Sequence, residues 1–250
     1  MYNFEVVVVG GGVSGAVAGI ASARQGARTL VIEKMGFLGG MLTAGGVGPM
    51  MTFHAGDTQV VRGIAEEIVQ ELKKLGGSPG HISDTTGYTY TVTPFDAEML
   101  KYVLETMYRQ AGGEILYHGM LSGVAVSEGR INQISVCSKS GPLTIKSRVF
   151  IDATGDGDLA AMGGVDFQLG REQDGLCQPV TMNMKVQNVD IELIKTCIRQ
   201  NPADFLEVDL ARLERSPRLS LGGFVQALQE GRGSGDRKST RLNSSHLGIS

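Results

Sequence analysis

Near the start of the chain, "VVVVGGGVSGAVAGI" places V-x-G-x-G-x-x-G between a run of β-branched residues and an Ala/Gly-rich stretch. Few segments restrict a fold so tightly. Phe4–Val9 has the composition of a strand buried on both faces, and the alanines and glycines up to Gly26 have that of a closely packed helix. "RTLVIEK" then reads as a second buried strand, which completes a β-α-β unit of right-handed crossover. Gly10 allows the tight turn, Gly12 lets main chain approach a pyrophosphate, and Gly15 permits close helix–strand packing, while the helix N-terminus offers its dipole to phosphate. Glu33 ends the second strand, where a carboxylate can accept both ribose hydroxyls of an adenosine and would repel a 2′-phosphate, so NADP is disfavoured.

Downstream, the spacing predicts a helix from about Gly63 to Leu75, with Ile64, Ile68, Leu72 and Leu75 on one face. Residues 78–92 read as loop or edge strand. Thr93 is expected to cap a further helix with Pro94 at its first position and Met99, Leu100, Val103, Leu104 and Met107 as its buried stripe. "EILYH" reads as a third parallel strand. Three alternating runs from Gly123 to Ser147, broken by "SEGR" and "KSGP", read as a β-meander. A separate buried strand, a polar glycine turn and a short helix follow in "SRVFIDATGDGDLAAMGG". Later come a strand in "PVTMNMKV", a helix from about Asp190 and an amphipathic helix near Phe224–Glu230.

The glycine motif alone does not choose between NAD and FAD. "GFLGGMLT" directly after Glu33 resembles the segment of glutathione-reductase-like flavoproteins that runs along the flavin pyrophosphate, and "VFIDATGDGD" resembles their ATG signature. Gly39-Gly40-Met41-Leu42-Thr43, Pro94 to Lys101 and Ile151 to Ala161 together make residues 1–170 similar to the FAD-dependent oxidoreductase family that includes relatives of the flavoprotein subunit of heterodisulfide reductase; Met162 stands where that family usually has Ala. The resemblance implies an α/β fold: a Rossmann-like FAD-binding domain with β-meander over residues 1–164, with 41–92 as an inserted loop and helix region, plus a truncated second, substrate domain starting at 165–235. It assigns Gly10, Gly12, Val13, Ser14 and Gly15 to the pyrophosphate and Glu33 with Lys34 to the adenosine ribose. Gly39, Gly40 and Met41 fall on the phosphate–ribityl side, Leu121 offers its backbone to adenine, and Ala153, Thr154 and Gly155 line the same half.

The implied function is transfer of a hydride or electron pair between a small organic substrate and flavin. Alternatives are an FAD-binding electron-relay subunit partnering iron–sulfur proteins, and an NAD-binding dehydrogenase module. An iron–sulfur cluster enters only through the resemblance, because Cys137, Cys177 and Cys197 show no metal-ligand spacing and are expected to be buried or idle. No metal site and no catalytic acid, base or nucleophile is identified. His54, in the Gly-rich loop after the flavin segment, reads more simply as a solvated side chain than as a proton donor.

Net charge is −3, of which the last fifteen residues contribute +2 through Asp236 against Arg237, Lys238 and Arg241. Basic residues are dispersed among acids and Trp is absent, so nucleic acid is not an expected partner. The N-terminus has neither a basic leader nor a membrane span, and a cytoplasmic location is expected. Residues Asp236–His246 match, letter for letter, the in-frame translation of a common short-read sequencing adapter, so 236–250 is expected to be a non-native tail. No late Gly-rich return to the cofactor domain is found, so the chain is expected to bind flavin weakly and not to turn over.

Overall fold

The computed structural model describes residues 2–84, 88–178, 180, 188–206, 211, 214, 219–223 and 247–249. In chain order the elements are β1 (Tyr2–Val9), α1 (Val13–Arg24), β2 (Thr29–Glu33), β3 (His54–Ala55), β4 (Thr58–Gln59), α2 (Ile64–Lys74), β5 (Ile82–Ser83), β6 (Thr91–Val92) and α3 (Ala97–Gln110). They continue as β7 (Glu114–Tyr117), β8 (Met120–Ser127), β9 (Arg130–Ser138), β10 (Gly141–Asp152), α4 (Asp158–Met162), α5 (Ile191–Gln200), β11 (Phe205–Leu206), β12 (Leu219–Gly223) and β13 (Leu247–Ile249). Two compact units result. The first holds Met1–Val47, Arg62–Ser78 and Phe95–Asn183, the second Gly48–Val61, Pro79–Pro94 and Met184–Ser250.

The first unit is built on a six-stranded sheet of order β7-β2-β1-β10-β9-β8. Strands β7, β2, β1 and β10 are parallel, and β9 and β8 continue the sheet antiparallel. Because side chains alternate across a strand, Val7 and Val9 join Phe4, Leu30, Ile32, Ile134, Val136, Ile145 and Leu159 in one buried cluster. Val31 lies toward helices instead, against Gly19 of α1, where a Cβ would stand 2.7 Å from Val31 Cγ2. The meander has one half-buried face, from which Leu121, Val124, Ile131 and Leu143 pack on the cluster.

Tyr108 is fully buried and pins this helical layer. Its hydroxyl donates to the carbonyl of Thr29 at 3.0 Å and lies 3.2 Å from that of Glu114, and its ring fills the space left by Gly19 and Gly113. Burial pushes the phenol well above its ordinary range, with nearby Glu114 adding to the shift.

Several sequence expectations need correction. Helix α3 is capped by Asp96, whose carboxylate accepts from Met99 N, and not by Thr93, which is buried and paired through its main chain with Met50. Asp96 wins because its oxygen reaches the N–H three residues on, the cap geometry itself. Leu75 is exposed and Val69 is buried in its place, since Gly76 and Gly77 close the end of α2 onto Lys73 and Leu72. Met99 is exposed as well. The third run of the meander and the strand after it are one strand, β10, and its second half is not buried: Val149 is 51% exposed. Residues 78–92 include β5 and β6, which pair antiparallel. The helix expected from Asp190 is α5, capped by Asp190 itself. Of the strand expected in "PVTMNMKV" only Val180 is described, exposed and in no strand, and the helix near Phe224–Glu230 lies outside the described residues. All three cysteines are exposed and none is in a disulfide.

In the second unit β3 pairs with β4, β5 with β6, and β11, β12 and β13 form a three-stranded sheet. No described helix is long and apolar enough to cross a membrane.

Replacing Gly113 by Ala would put a Cβ 2.1 Å from Tyr108 Cζ, an overpacking expected to cost about 1–3 kcal/mol. Tyr108→Phe removes the buried hydroxyl bond to Thr29 O and is expected to cost about 0.5–1.5 kcal/mol. Urea melts of both variants measure this; midpoints equal to wild type would contradict the role of Tyr108.

Candidate functional site

At the carboxyl ends of the parallel strands, three main-chain segments meet. Gly10 turns the chain out of β1 with φ +98°, its N–H bonded to Ile32 O at 2.8 Å. A Cβ there would lie 2.1 Å from Ala153 O, and one at Gly15 would lie 1.9 Å from Gly10 O. Ala153 is itself held by its N–H to Val9 O at 2.8 Å. The second segment, Gly39-Gly40, bonds Gly39 N to Gly11 O at 2.9 Å, and a Cβ on Gly40 would stand 2.9 Å from Gly12 Cα.

Gly12 differs from these neighbours. Its φ of −61° and ψ of −175° suit any residue, and a Cβ would meet nothing nearer than Gly40 Cα at 4.0 Å. Neither backbone nor packing demands glycine there. Gly12 is also the N-cap of α1, no side chain caps that helix, and its first turn carries no acid. A side-chain-free cradle therefore faces a helix start whose first-turn N–H groups have no intrahelical partner. This is chemistry suited to phosphate oxygens.

Glu33 is only 6% exposed. One carboxylate oxygen accepts Gly11 N–H at 2.7 Å and the other accepts Met35 N–H at 2.7 Å, while its carbonyl accepts Gly119 N–H at 3.1 Å. Glu33 thus ties the glycine turn to the start of the next segment. Each oxygen keeps a second lone pair for a further donor.

The ATG turn is organised by Asp152. Its Oδ1 accepts the N–H and hydroxyl of Thr154 at 3.0 and 2.7 Å, and its Oδ2 accepts Ala160 N–H at 2.9 Å; Thr154 Oγ1 in turn accepts Asp158 N–H at 2.8 Å. Burial works to raise the Asp152 carboxyl, but the donors of Thr154, Ala160 and Leu159 outweigh it, and the group is held below its ordinary value of 3.8.

Gly10, Gly12, Val13, Ser14, Gly15, Gly39, Gly40, Ala153, Glu33 and Thr154 are therefore gathered around one turn or one strand removed from it. Val13 and Ser14 are exposed at the start of α1, as are Lys34, Met41 and Gly155 in their own segments. Leu121 is placed differently. It sits in β8 opposite Val136 with its side chain on the core, and the residue of that crossing that touches Glu33 is Gly119. Sequence reasoning missed Gly11, Met35, Gly119 and Asp152. Only Asp152, a polar residue closing an apolar strand before a glycine turn, carried a local signal. Among the described residues no group of three or more His, Cys, Asp or Glu could hold a metal ion.

A family model described as FAD dependent oxidoreductase matches residues 5–244. The chain belongs to this family. Its cofactor is accordingly FAD, which decides against an NAD-binding module. The thiamine thiazole synthase of Methanococcus aeolicus is 31% identical over 162 residues, 60% of this chain and 54% of the relative, so the chain spans about half the length of that protein. Among solved structures, a geranylgeranyl bacteriochlorophyll reductase-like protein from Thermoplasma acidophilum is similar with a TM-score of 0.50 at 16% identity, over 71% of this chain and 44% of that one. L-proline dehydrogenase from P. horikoshii has a TM-score of 0.50 at 18% identity, over 67% and 57%. These two likenesses concern the fold.

Two outcomes follow for this site. Glu33→Gln keeps an oxygen for one N–H but turns an amide donor toward the other, and is expected to cost about 1–3 kcal/mol in the protein without flavin; an unchanged melt would show that the two main-chain bonds are dispensable. Because the folded-state Asp152 value is lowered, its contribution to stability is full above the unfolded-state value and is lost as pH falls through the folded-state value. In Asp152→Asn the acid limb of a stability–pH curve should flatten relative to wild type, and an identical limb would refute the assignment.

Proposed function

We propose that the chain forms the FAD-binding part of an oxidoreductase that passes a hydride or electron pair between a small organic substrate and the flavin, with an electron-transfer partner or a second small molecule as acceptor. The observation that carries this reading is the open flank of Gly12, a glycine the protein's own packing does not require. Gly12, Val13, Ser14 and Gly15 would take the pyrophosphate at the start of α1, Glu33 the ribose hydroxyls, and Gly39, Gly40 and Met41 the phosphate–ribityl side. Ala153, Thr154 and Gly155 would close the same end, in a position fixed by Asp152. When bound, FAD supplies the two-electron chemistry; these residues bind it and orient it. Exposed thiols without disulfides suit a reducing, cytoplasmic setting.

Gly12 and Gly15 give opposite expectations, which makes the pair a test. Gly12→Ala is expected to fold with only the small loss of stability that Ala causes at a helix N-cap, and to lose flavin affinity at least about tenfold, because the methyl enters the space for a phosphate and costs about 1.4 kcal/mol or more of binding. Gly15→Ala is expected to lose stability and flavin together. Flavin fluorescence titration of the purified proteins reads the first quantity and thermal unfolding the second. Undiminished affinity in Gly12→Ala would overturn the reading.

A further inference from the structure

Among its described residues the second unit brings together two histidines that sequence distance keeps apart. His54 and His81 stand edge to face with ring centroids 5.0 Å apart at 73°, and the Phe53 ring packs on His81 at 4.5 Å. Each ring is held at Nδ1 by a threonine hydroxyl, His54 by Thr91 at 2.9 Å and His81 by Thr93 at 2.7 Å. Thr91 and Thr93 are two apart in an extended run, so their side chains share a face. The run is fastened to the segment before His54: Met50 and Thr93 exchange main-chain bonds of 3.0 and 2.9 Å, and Thr52 Oγ1 lies 3.2 Å from the carbonyls of both Thr91 and His54.

The hydroxyls decide where the imidazole protons sit. Thr93 is 1% exposed, which excludes water, and its hydroxyl has the His81 ring as its one partner among the described residues. A buried hydroxyl proton needs an acceptor, so Thr93 donates into His81 Nδ1 and the ring hydrogen resides on Nε2. Half-buried Thr91 sets its hydroxyl against His54 Nδ1 in the same way, and a proton donated there leaves the ring hydrogen on Nε2. Its carbonyl is already taken by the Thr52 and Thr89 hydroxyls, the latter at 3.0 Å, so no second hydroxyl competes for the imidazole. His54 is half-buried, and among the described residues no acceptor takes its Nε2 proton. A fixed, partly desolvated N–H donor backed by a second aromatic ring is a place for an oxygen acceptor.

We propose that His54 Nε2–H donates a hydrogen bond to a carbonyl or carboxylate oxygen of a small organic ligand, with Thr91 as the positioning residue that sets the tautomer. The proposal rests on the reading that the chain acts on a small organic substrate, and it adds the oxygen function which that substrate carries.

The test uses the full chain labelled with 15N. Two-bond 15N–1H correlations report each tautomer, and the chain has four histidines, with exposed His118 as the internal reference. Acetate and acetone are the probes. His54 should show its proton on Nε2, and a probe should move that nitrogen several-fold more than it moves His118. A response to acetate alone identifies a carboxylate, and one to acetone, with or without acetate, a carbonyl. Thr91→Val should mix the His54 tautomers and reduce the probe response several-fold, while Thr91→Ser restores both. A proton on Nδ1, equal responses at His54 and His118, or an unaltered His54 in folded Thr91→Val overturns the proposal. Flavin titration of the same samples reads the functional reading separately, because retained flavin with a silent His54 rejects only this inference.

Discussion

Main chain lies directly against main chain at the ends of β1, β2 and β10, and the geometry of the glycine turns depends on that contact. Gly10 touches Ala153, Gly15 touches Gly10, and Gly40 touches Gly12, in each case at a separation that no side chain could occupy. The strands can then end at a common level, and the turn that leaves β1 and the turn that leaves β10 become one surface. Glu33 and Asp152 are the two carboxylates that hold this surface from either side, each by donating no proton and accepting several. A carboxylate with several N–H partners fixes their directions. Gly12 is free to be open because its neighbours are not.

Much of the first unit was legible in the sequence, for a physical reason. The β-α-β unit, α3 and the meander each bury a face with a regular period, and such periods survive as patterns of apolar residues. Glycines at required turns are equally local. What was not legible depends on partners far along the chain. Tyr108 ends the stripe of α3 but owes its burial to Gly19 and Gly113, and its hydroxyl to Thr29 and Glu114. Gly11 and Met35 contribute only N–H groups, which leave no trace in residue type. Asp96 was passed over for Thr93 because both are good caps, and only the fold shows that Thr93 is occupied with Met50 and His81.

The second unit was the less readable for the opposite reason. Its paired strands β3 to β6 are two residues long, too short to display a period, and they are joined by hydroxyl groups more than by apolar faces. Thr52, Thr91 and Thr93 each bond a carbonyl or an imidazole. Threonines scattered in a polar stretch look like loop. A histidine held by one of them looks solvated until its partner, arriving from another loop, is placed beside it.

Strand β10 joins the two halves of the sheet through a narrow overlap. Gly141–Lys146 pairs with β9 on one side, Ile145–Asp152 pairs with β1 on the other, and only Ile145 and Lys146 are paired on both. The overlap works as a seam. The turns that join the meander strands could change length without disturbing a hydrogen bond of the parallel side, whereas one residue gained or lost at the seam would invert every side chain beyond it. Variation among related chains has a permitted place to accumulate in the meander, and the level of Asp152 beneath the ATG turn is insulated from it.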